Sequence, residues 1–189
     1  RLEQFGLSYE TLKQYNPQLI YAVLSGYGGR GPEAESRAFD TSILARSGIM
    51  FASGDRDFDE PFQTTNGLAD AGGAIMGAYG ILAALCARER KGIGQKIETS
   101  QLAAMMQFQW PGLTGTLLRG RAAARHSRKR ARNPLANHYQ CADGRWLMFA
   151  EPQSDRFWGE FCQTVGLEKL VKDSRFSSAE AQKQHYQEL

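Results

Sequence analysis

The stretch Leu19-Ile-Tyr-Ala-Val-Leu24, followed by Ser-Gly-Tyr-Gly-Gly-Arg-Gly-Pro32, decides the fold class. An apolar run without polar alternation suits a strand buried on both faces of a parallel sheet, and the glycines after it make a loop. Parallel strands must be joined by a crossover, usually helical. Helical patterns follow at Thr41 to Met50, through Ile43, Leu44 and Ile49, and at Ala71 to Lys91. The longer one repeats apolar residues at spacings of three and four (Ile75, Met76, Tyr79, Leu82, Ala83, Cys86) and ends on Arg88, Arg90 and Lys91 before Gly92. Lys96 to Thr99 is a candidate second strand, so the first part of the chain reads as α/β.

Ahead of the strand, Ser8 caps a helix over Tyr9 to Tyr15 that Asn16-Pro17 ends, because a residue before proline is pushed out of the helical region. Beyond the second strand, Ser100 caps a helix to about Trp110. Pro111 to Arg132, rich in Gly, Ala and Arg, has the composition of a linker. The character then changes. His138 to Cys141 and Trp146 to Ala150 flank Asp143-Gly144 as a β-hairpin, Ser154 caps a helix to Gly166, and Ser178 to Leu189 is polar and helix-like. The expected organisation is residues 1–110 in one domain, 111–132 as a basic linker and 133–189 in a second, smaller one.

The chain has 189 residues, of which 42% are hydrophobic, ordinary for a folded globular protein. It opens on Arg1 and stops in a helix-like run, and it reads as a piece of a longer chain. The apolar run Ala78 to Ala87 is shorter than the roughly 20 residues a membrane span requires, and no signal segment is evident. A cytoplasmic location is expected. Cys86, Cys141 and Cys162 are odd in number and lack CxxC spacing, and no histidine has a metal-ligand spacing, so neither a disulfide framework nor a metal site is expected. Net charge is +3, but Arg119 to Arg132 holds six Arg and one Lys with no acid, leaving 16 basic against 20 acidic residues elsewhere. That run lacks the interleaved aromatics of a nucleic-acid binder and reads as a surface stretch. Gly54 to Glu60 reads as an exposed acidic turn.

Gly26-x-Gly28-x-x-Gly31 matches the dinucleotide fingerprint in form, but Pro32, Glu33 and Glu35 follow where an apolar helix should begin, and Arg46 stands about where a ribose-binding acid is expected. No GxSxG elbow is present. Asp70 is the notable carboxylate. It lies in Gly67-Leu-Ala-Asp-Ala-Gly-Gly73 at the start of the long helix, where backbone N–H groups and the dipole favour a negative charge. On the residues alone it is either a helix cap or a catalytic group. Gly72, Gly73, Gly77 and Gly80 each cost roughly 1 kcal/mol in a helix relative to Ala, so a close approach, by another element or by a ligand, is what they would serve.

Several motifs together resemble one family. These are Asn16 to Pro32, Arg37-Ala-Phe-Asp40, Ser47-Gly48, Asp70, and Gly80 to Leu85 with Glu89-Arg-Lys-Gly-Ile-Gly-Gln95, continuing through Asn133 to Glu151 and the Trp158 helix. In that order, over nearly the whole chain, they resemble the class III CoA-transferases, the group of formyl-CoA and carnitine CoA-transferases and alpha-methylacyl-CoA racemase. The resemblance implies a Rossmann-like parallel-sheet large domain, a smaller α+β domain, and an interlocked homodimer of which this chain is a fragment. It implies that Asp70 is the catalytic aspartate, attacking an acyl-CoA thioester to form a mixed anhydride and then an aspartyl-CoA thioester before coenzyme A passes to a carboxylic acid acceptor. It further implies that Arg37 and Phe39 face the coenzyme and that Gly72 and Gly73 form a turn offering N–H groups to an oxyanion. Coenzyme A is then a substrate, with no permanently bound cofactor, nucleic acid or membrane as partner. The racemase branch carries a histidine where this chain has Phe39, and a phenyl ring cannot move a proton, so transfer is expected over racemisation. The alternatives are that racemase chemistry and a non-catalytic CoA-binding homologue. The pattern around Phe39-Asp40 and Asn133-Pro-Leu135 looks most like members acting on 2-hydroxy or related carboxylic acids.

Overall fold

A computed structural model describes residues 2–58, 60–64, 67–122 and 124–189. These form two compact units, one of residues 1–53 and 60–123, the other of residues 54–59 and 124–189.

In the first unit, α1 (Tyr9–Tyr15) starts where Ser8 Oγ accepts the Thr11 N–H at 3.1 Å and stops at Asn16. β1 (Ile20–Ser25) pairs in parallel with β2 (Gln95–Ser100), Ile20 opposite Gln95 and Ser25 opposite Ser100. Between them run α2 (Asp40–Ser47), α3 (Ile49–Ala52) and α4 (Leu68–Lys91). The single helix expected over Thr41 to Met50 is two, because Gly48 takes a left-handed conformation (φ 79°) that ends α2. β2 leads directly into α5 (Gln101–Phe108), capped by Ser100, and α6 (Trp110–Arg119) follows. The segment expected as a linker from 111 therefore begins as helix, and α6 belongs to the first unit.

The core of this unit is Ile43 and Leu44 of α2, Ala69 of α4, and Ala104 and Met105 of α5. The α4 glycines are explained by packing. A Cβ on Gly72 would lie 2.7 Å from Met105 Cε, one on Gly77 2.5 Å from Leu24 Cδ2, and one on Gly80 3.3 Å from Ile97 Cδ1. They admit α5, β1 and β2 respectively, so the close approach is by other elements. By length and composition α4 could cross a membrane, which the shorter run Ala78 to Ala87 had not suggested. Its glycine face instead lies on the two strands, as a core helix of an α/β domain does, while Ile75, Tyr79 and Leu82 on another face are 64%, 69% and 64% exposed.

The tightest crossing is at Gly94, just before β2. Its N–H donates to Pro17 O at 3.0 Å, and a Cβ there would come within 2.3 Å of Leu19 O and 2.5 Å of Gln18 C, both backbone atoms. Backbone cannot move aside as a side-chain tip can, so Gly94→Ala should destabilise by about 2–3 kcal/mol. Denaturant unfolding of the full-length protein measures this, and an unchanged midpoint would mean the crossing tolerates a methyl group.

In the second unit β3 (His138–Gln140) and β4 (Trp146–Met148) form an antiparallel hairpin, His138 opposite Met148, with Gly144 at φ 83° in the turn. α7 (Ser154–Thr164), α8 (Glu168–Val171) and α9 (Ala179–Gln184) follow, around a core of Leu135, Trp158, Cys162 and Phe176. Ser154 is the first residue of α7 and does not cap it. Its hydroxyl donates to Gln182 Oε1 at 2.9 Å, joining α7 to α9 in the interior. Burial pushes the Cys162 thiol up, as expected of a packing cysteine. Of the turn expected over 54–60, residues 54–58 contribute to this unit, Glu60 belongs to the first, and Asp59 lies outside the described residues. Asp57 accepts the Ser127 hydroxyl at 2.7 Å and pairs with Arg130 at 3.6 Å, while the Arg56 N–H donates to His126 O at 2.8 Å. The basic run is thus anchored in part by an acidic residue some 70 positions earlier, with Arg128 lying over the Trp146 ring.

Candidate active site

Asp70 occupies the first turn of α4, with an exposed side chain, and three consecutive facts place it there. The helix begins earlier than its apolar pattern indicates, at Leu68, with Gly67 as N-cap in the left-handed region (φ 87°), where a side chain would be strained. Gly67 has no side chain with which to cap. Asp40, the first residue of α2, supplies the cap from a distance: its Oδ2 accepts the Gly67 N–H at 2.9 Å, and its Oδ1 accepts those of Ala69 at 2.7 Å and Asp70 at 3.1 Å. Asp70 is therefore relieved of capping, and its carboxylate is free for another role. Of the two readings that the residues alone left open for Asp70, that of a side-chain helix cap is corrected.

That carboxylate has a side-chain partner. Gln101, first residue of α5, donates from Nε2 to Asp70 Oδ1. Gln101 also lines a cavity of about 360 Å³ at the carboxyl ends of both parallel strands, together with Ser25, Gly26, Ala38, Gly73 and Ser100. The crevice beyond the carboxyl ends of parallel strands is where α/β proteins bind ligands. Gly26 allows this end to close up, since a Cβ on it would lie 2.1 Å from Ala38 Cβ.

Gly72 and Gly73 lie inside α4, not in a turn, so their N–H groups are directed along the helix. Both are buried; Gly73 faces the cavity with Gln101 against it, and Gly72 receives Met105 and Phe108. Arg37 and Phe39 are both exposed, on either side of Ala38, which turns inward to the cavity. Phe39 is 73% exposed; its N–H donates to Ser42 Oγ at 2.9 Å, and its carbonyl accepts the Ser42 hydroxyl at 2.7 Å. The Gly26 to Gly31 loop runs into turns, and no helix begins until Asp40, so it does not form the strand-to-helix phosphate cradle of a dinucleotide site. Arg46 is paired with Glu33 at 2.9 Å, and that carboxylate raises the guanidinium further. Among the described residues, no group of three His, Cys, Asp or Glu is arranged to hold a metal ion.

Sequence reasoning had passed over two of these residues. Asp40 was visible as part of a motif but carried no role, because its bonds span 27 to 30 positions. Gln101 looked like an ordinary first residue of a capped helix. The family model described as "CoA-transferase family III" matches residues 1–189.

The chain belongs to CoA-transferase family III.

Its relatives include both reaction types of that group. It is 29% identical over 189 residues to (R)-2-hydroxy-4-methylpentanoate CoA-transferase of Clostridioides difficile, covering all of this chain and 47% of that protein. It is 33% identical over 175 residues to acetyl-CoA:oxalate CoA-transferase of Acetobacter aceti (93% and 44%), and 34% identical over 191 residues to alpha-methylacyl-CoA racemase of Mus musculus (95% and 47%). Among solved structures, a CAIB/BAIF family protein from Brucella suis superposes with a TM-score of 0.79 at 30% identity, covering 98% of this chain and 48% of that one. The chain thus spans about half the length of the curated relatives it matches, and the α/β fold with a parallel sheet is that of the family.

Proposed function

We propose that the protein of which this chain forms part transfers coenzyme A from an acyl-CoA thioester to a carboxylic acid, with Asp70 as the covalent nucleophile. The observation that carries this reading is a family III CoA-transferase chain whose exposed Asp70 carboxylate stands in the first turn of α4, freed from capping by Asp40 and joined by Gln101 to the strand-end cavity.

The chemistry follows from a carboxylate so placed. Asp70 attacks the thioester carbonyl and expels the CoA thiolate, leaving a mixed anhydride. The thiolate attacks the Asp70 carbonyl and releases the donor acid, leaving an aspartyl-CoA thioester. The acceptor carboxylate displaces the thiolate to form a second anhydride, and the thiolate then takes the acceptor acyl group and frees Asp70. The two anhydride-forming steps run uphill from a thioester and the two thioester-forming steps run back down, so one hard exchange is divided into reversible acyl transfers with the thiolate kept at hand. Arg37 and Phe39 are exposed on either side of the cavity-lining Ala38; the guanidinium is suited to the coenzyme phosphates and the phenyl ring to an apolar portion of the ligand. The acceptor class we favour is a 2-hydroxy or related carboxylic acid, in line with the name of the C. difficile relative.

Racemisation is the rival reading, since a racemase is among the relatives. It needs a second proton-transfer group beside Asp70, and Phe39 carries none. The exposed apolar face of α4 (Ile75, Tyr79, Leu82) supports an interlocked homodimer of longer chains, in which that face is covered. A cytoplasmic location goes with this reading.

The test is to incubate the full-length protein with an acyl-CoA, quench with hydroxylamine or borohydride, and search the peptides by mass spectrometry. Modification at Asp70 is expected. An unmodified Asp70 in an enzyme turning over normally would sink the proposal, and deuterium wash-in next to the thioester carbonyl without transfer would indicate racemisation.

A further inference from the structure

We propose that Gln101 is the hydrogen-bond donor that fixes Asp70 Oδ1, leaving Oδ2 as the attacking oxygen, and that it stabilises the charge that develops on Oδ1 whenever the Asp70 carbonyl is itself attacked. This rests on the covalent role of Asp70 given above.

The geometry around Gln101 is that of a group held to one task. Its backbone is pinned on both sides. Ser100, only 6% exposed, caps α5 by accepting the Ala103 N–H at 3.1 Å, and the Leu102 N–H donates to Gly26 O at 3.0 Å. Its side chain passes through a slot between two glycines. A Cβ on Gly73 would lie 3.1 Å from Gln101 Cγ, and one on Gly26 would lie 3.6 Å from its Oε1. An ionised carboxylate only accepts hydrogen bonds, so the amide must present Nε2, not Oε1, to Asp70.

The bond changes value along the reaction. In the first step Oδ2 bonds to the donor carbonyl carbon as the C–S bond breaks, and charge collects on the donor oxygen, away from Gln101. In the second step the thiolate bonds to Asp70 Cγ, the electron pair of the Cγ–Oδ1 double bond moves onto Oδ1, and the collapse expels the donor carboxylate with the former Oδ2. In the third, the acceptor carboxylate attacks Cγ, charge again collects on Oδ1, and the thiolate leaves. Oδ1 therefore remains the Asp70 carbonyl oxygen throughout, and a donor already aimed at it needs no reorganisation when the charge appears. A neutral amide suits this role because it donates to carboxylate, anhydride, thioester and oxyanion alike without gaining or losing a proton.

The experiment uses full-length protein carrying Gln101→Met, which keeps an unbranched side chain of similar length without a donor, and Gln101→Glu, which replaces the donor by a second carboxylate. In single turnovers with an acyl-CoA, rapid quench and peptide mass spectrometry follow two species on the Asp70 peptide, the donor anhydride and the CoA thioester. Formation of the thioester should slow by about 10²–10³-fold in both variants. Acylation of Asp70, read from the anhydride trapped at early times, should slow far less in Gln101→Met, while the melting temperature stays near that of the parent. Thioester formation at the parental rate in Gln101→Met overturns the proposal, as does an equal slowing of both steps accompanied by a lower melting temperature, which is the mark of packing alone. An Asp70→Asn control separates the two readings: if that variant transfers CoA normally, the covalent role itself fails, whereas an inactive Asp70→Asn beside a normal Gln101→Met overturns only the role of Gln101.

Discussion

Asp70→Asn in the full-length protein is expected to lower the rate of CoA transfer by about 10⁴-fold or more, the scale seen when a covalent nucleophile is removed, while leaving the fold intact. The amide is nearly isosteric with the carboxylate but cannot displace a thiolate. The fold should survive because Asp70 makes its structural contribution through the backbone: its N–H donates to Asp40 at 3.1 Å, and Asn keeps that bond. The side chain is exposed, and its Oδ1 can still accept from Gln101 as an amide oxygen. What is lost structurally is one favourable charge in the first turn of α4, worth about 0.3–1 kcal/mol. Steady-state transfer assays alongside thermal unfolding check both halves. Transfer within tenfold of the parent would remove Asp70 from the mechanism, and a collapsed melting temperature would make the lost activity a matter of folding.

Asp40→Ala should show the opposite balance, losing both stability and activity. The carboxylate accepts three backbone N–H groups at 2.7 to 3.1 Å and is the means by which α2 is fastened to the start of α4. Removing it leaves those donors without their acceptor, and the N-cap residue, Gly67, has no side chain to substitute. A single cap is worth about 0.5–2 kcal/mol, and bonds to a charged group more than neutral ones, so a loss of about 2–3 kcal/mol is expected. The same change loosens the turn that orients Asp70, and a displacement of about 1 Å at a reacting group costs roughly 100-fold in rate. Asp40→Asn, which keeps one acceptor oxygen, should fall between Ala and the parent in both measurements. Unfolding midpoints and kcat for the two variants, measured together, check this; a fully stable Asp40→Ala would show that water replaces the carboxylate at no cost.

The elements legible in the sequence were those with a local cause. The Ser8 and Ser100 caps, the apolar β1 run, the Asp143-Gly144 turn and the periodicity of α4 each act within a few residues, and each appears in the structure within a few positions of its expected bounds. Where a local signal had two meanings, context chose between them. Ser154 has the residue type of a cap but spends its hydroxyl on Gln182, 28 positions away. Trp110-Pro111 looked like the end of a helix and proved to be the start of α6, consistent with the tolerance of proline in a first turn. The acidic turn at 54–60 carried no sign that Asp57 would reach Ser127 and Arg130.

The site divides in the same way. By itself the sequence determined that this is an α/β chain of the CoA-transferase type, with an aspartate at the head of a glycine-rich helix, because apolar periodicity, glycine placement and an ordered set of motifs are all properties of the linear chain. Only the tertiary structure decided what surrounds that aspartate: that the glycines of α4 make room for α5, β1 and β2, that Asp40 takes over the capping of α4, and that Gln101 holds the freed carboxylate. Those contacts join residues about 30 positions apart through the ends of three separate elements. Their existence depends on how closely α2, α4 and α5 pack, and close packing is a property of the assembled core.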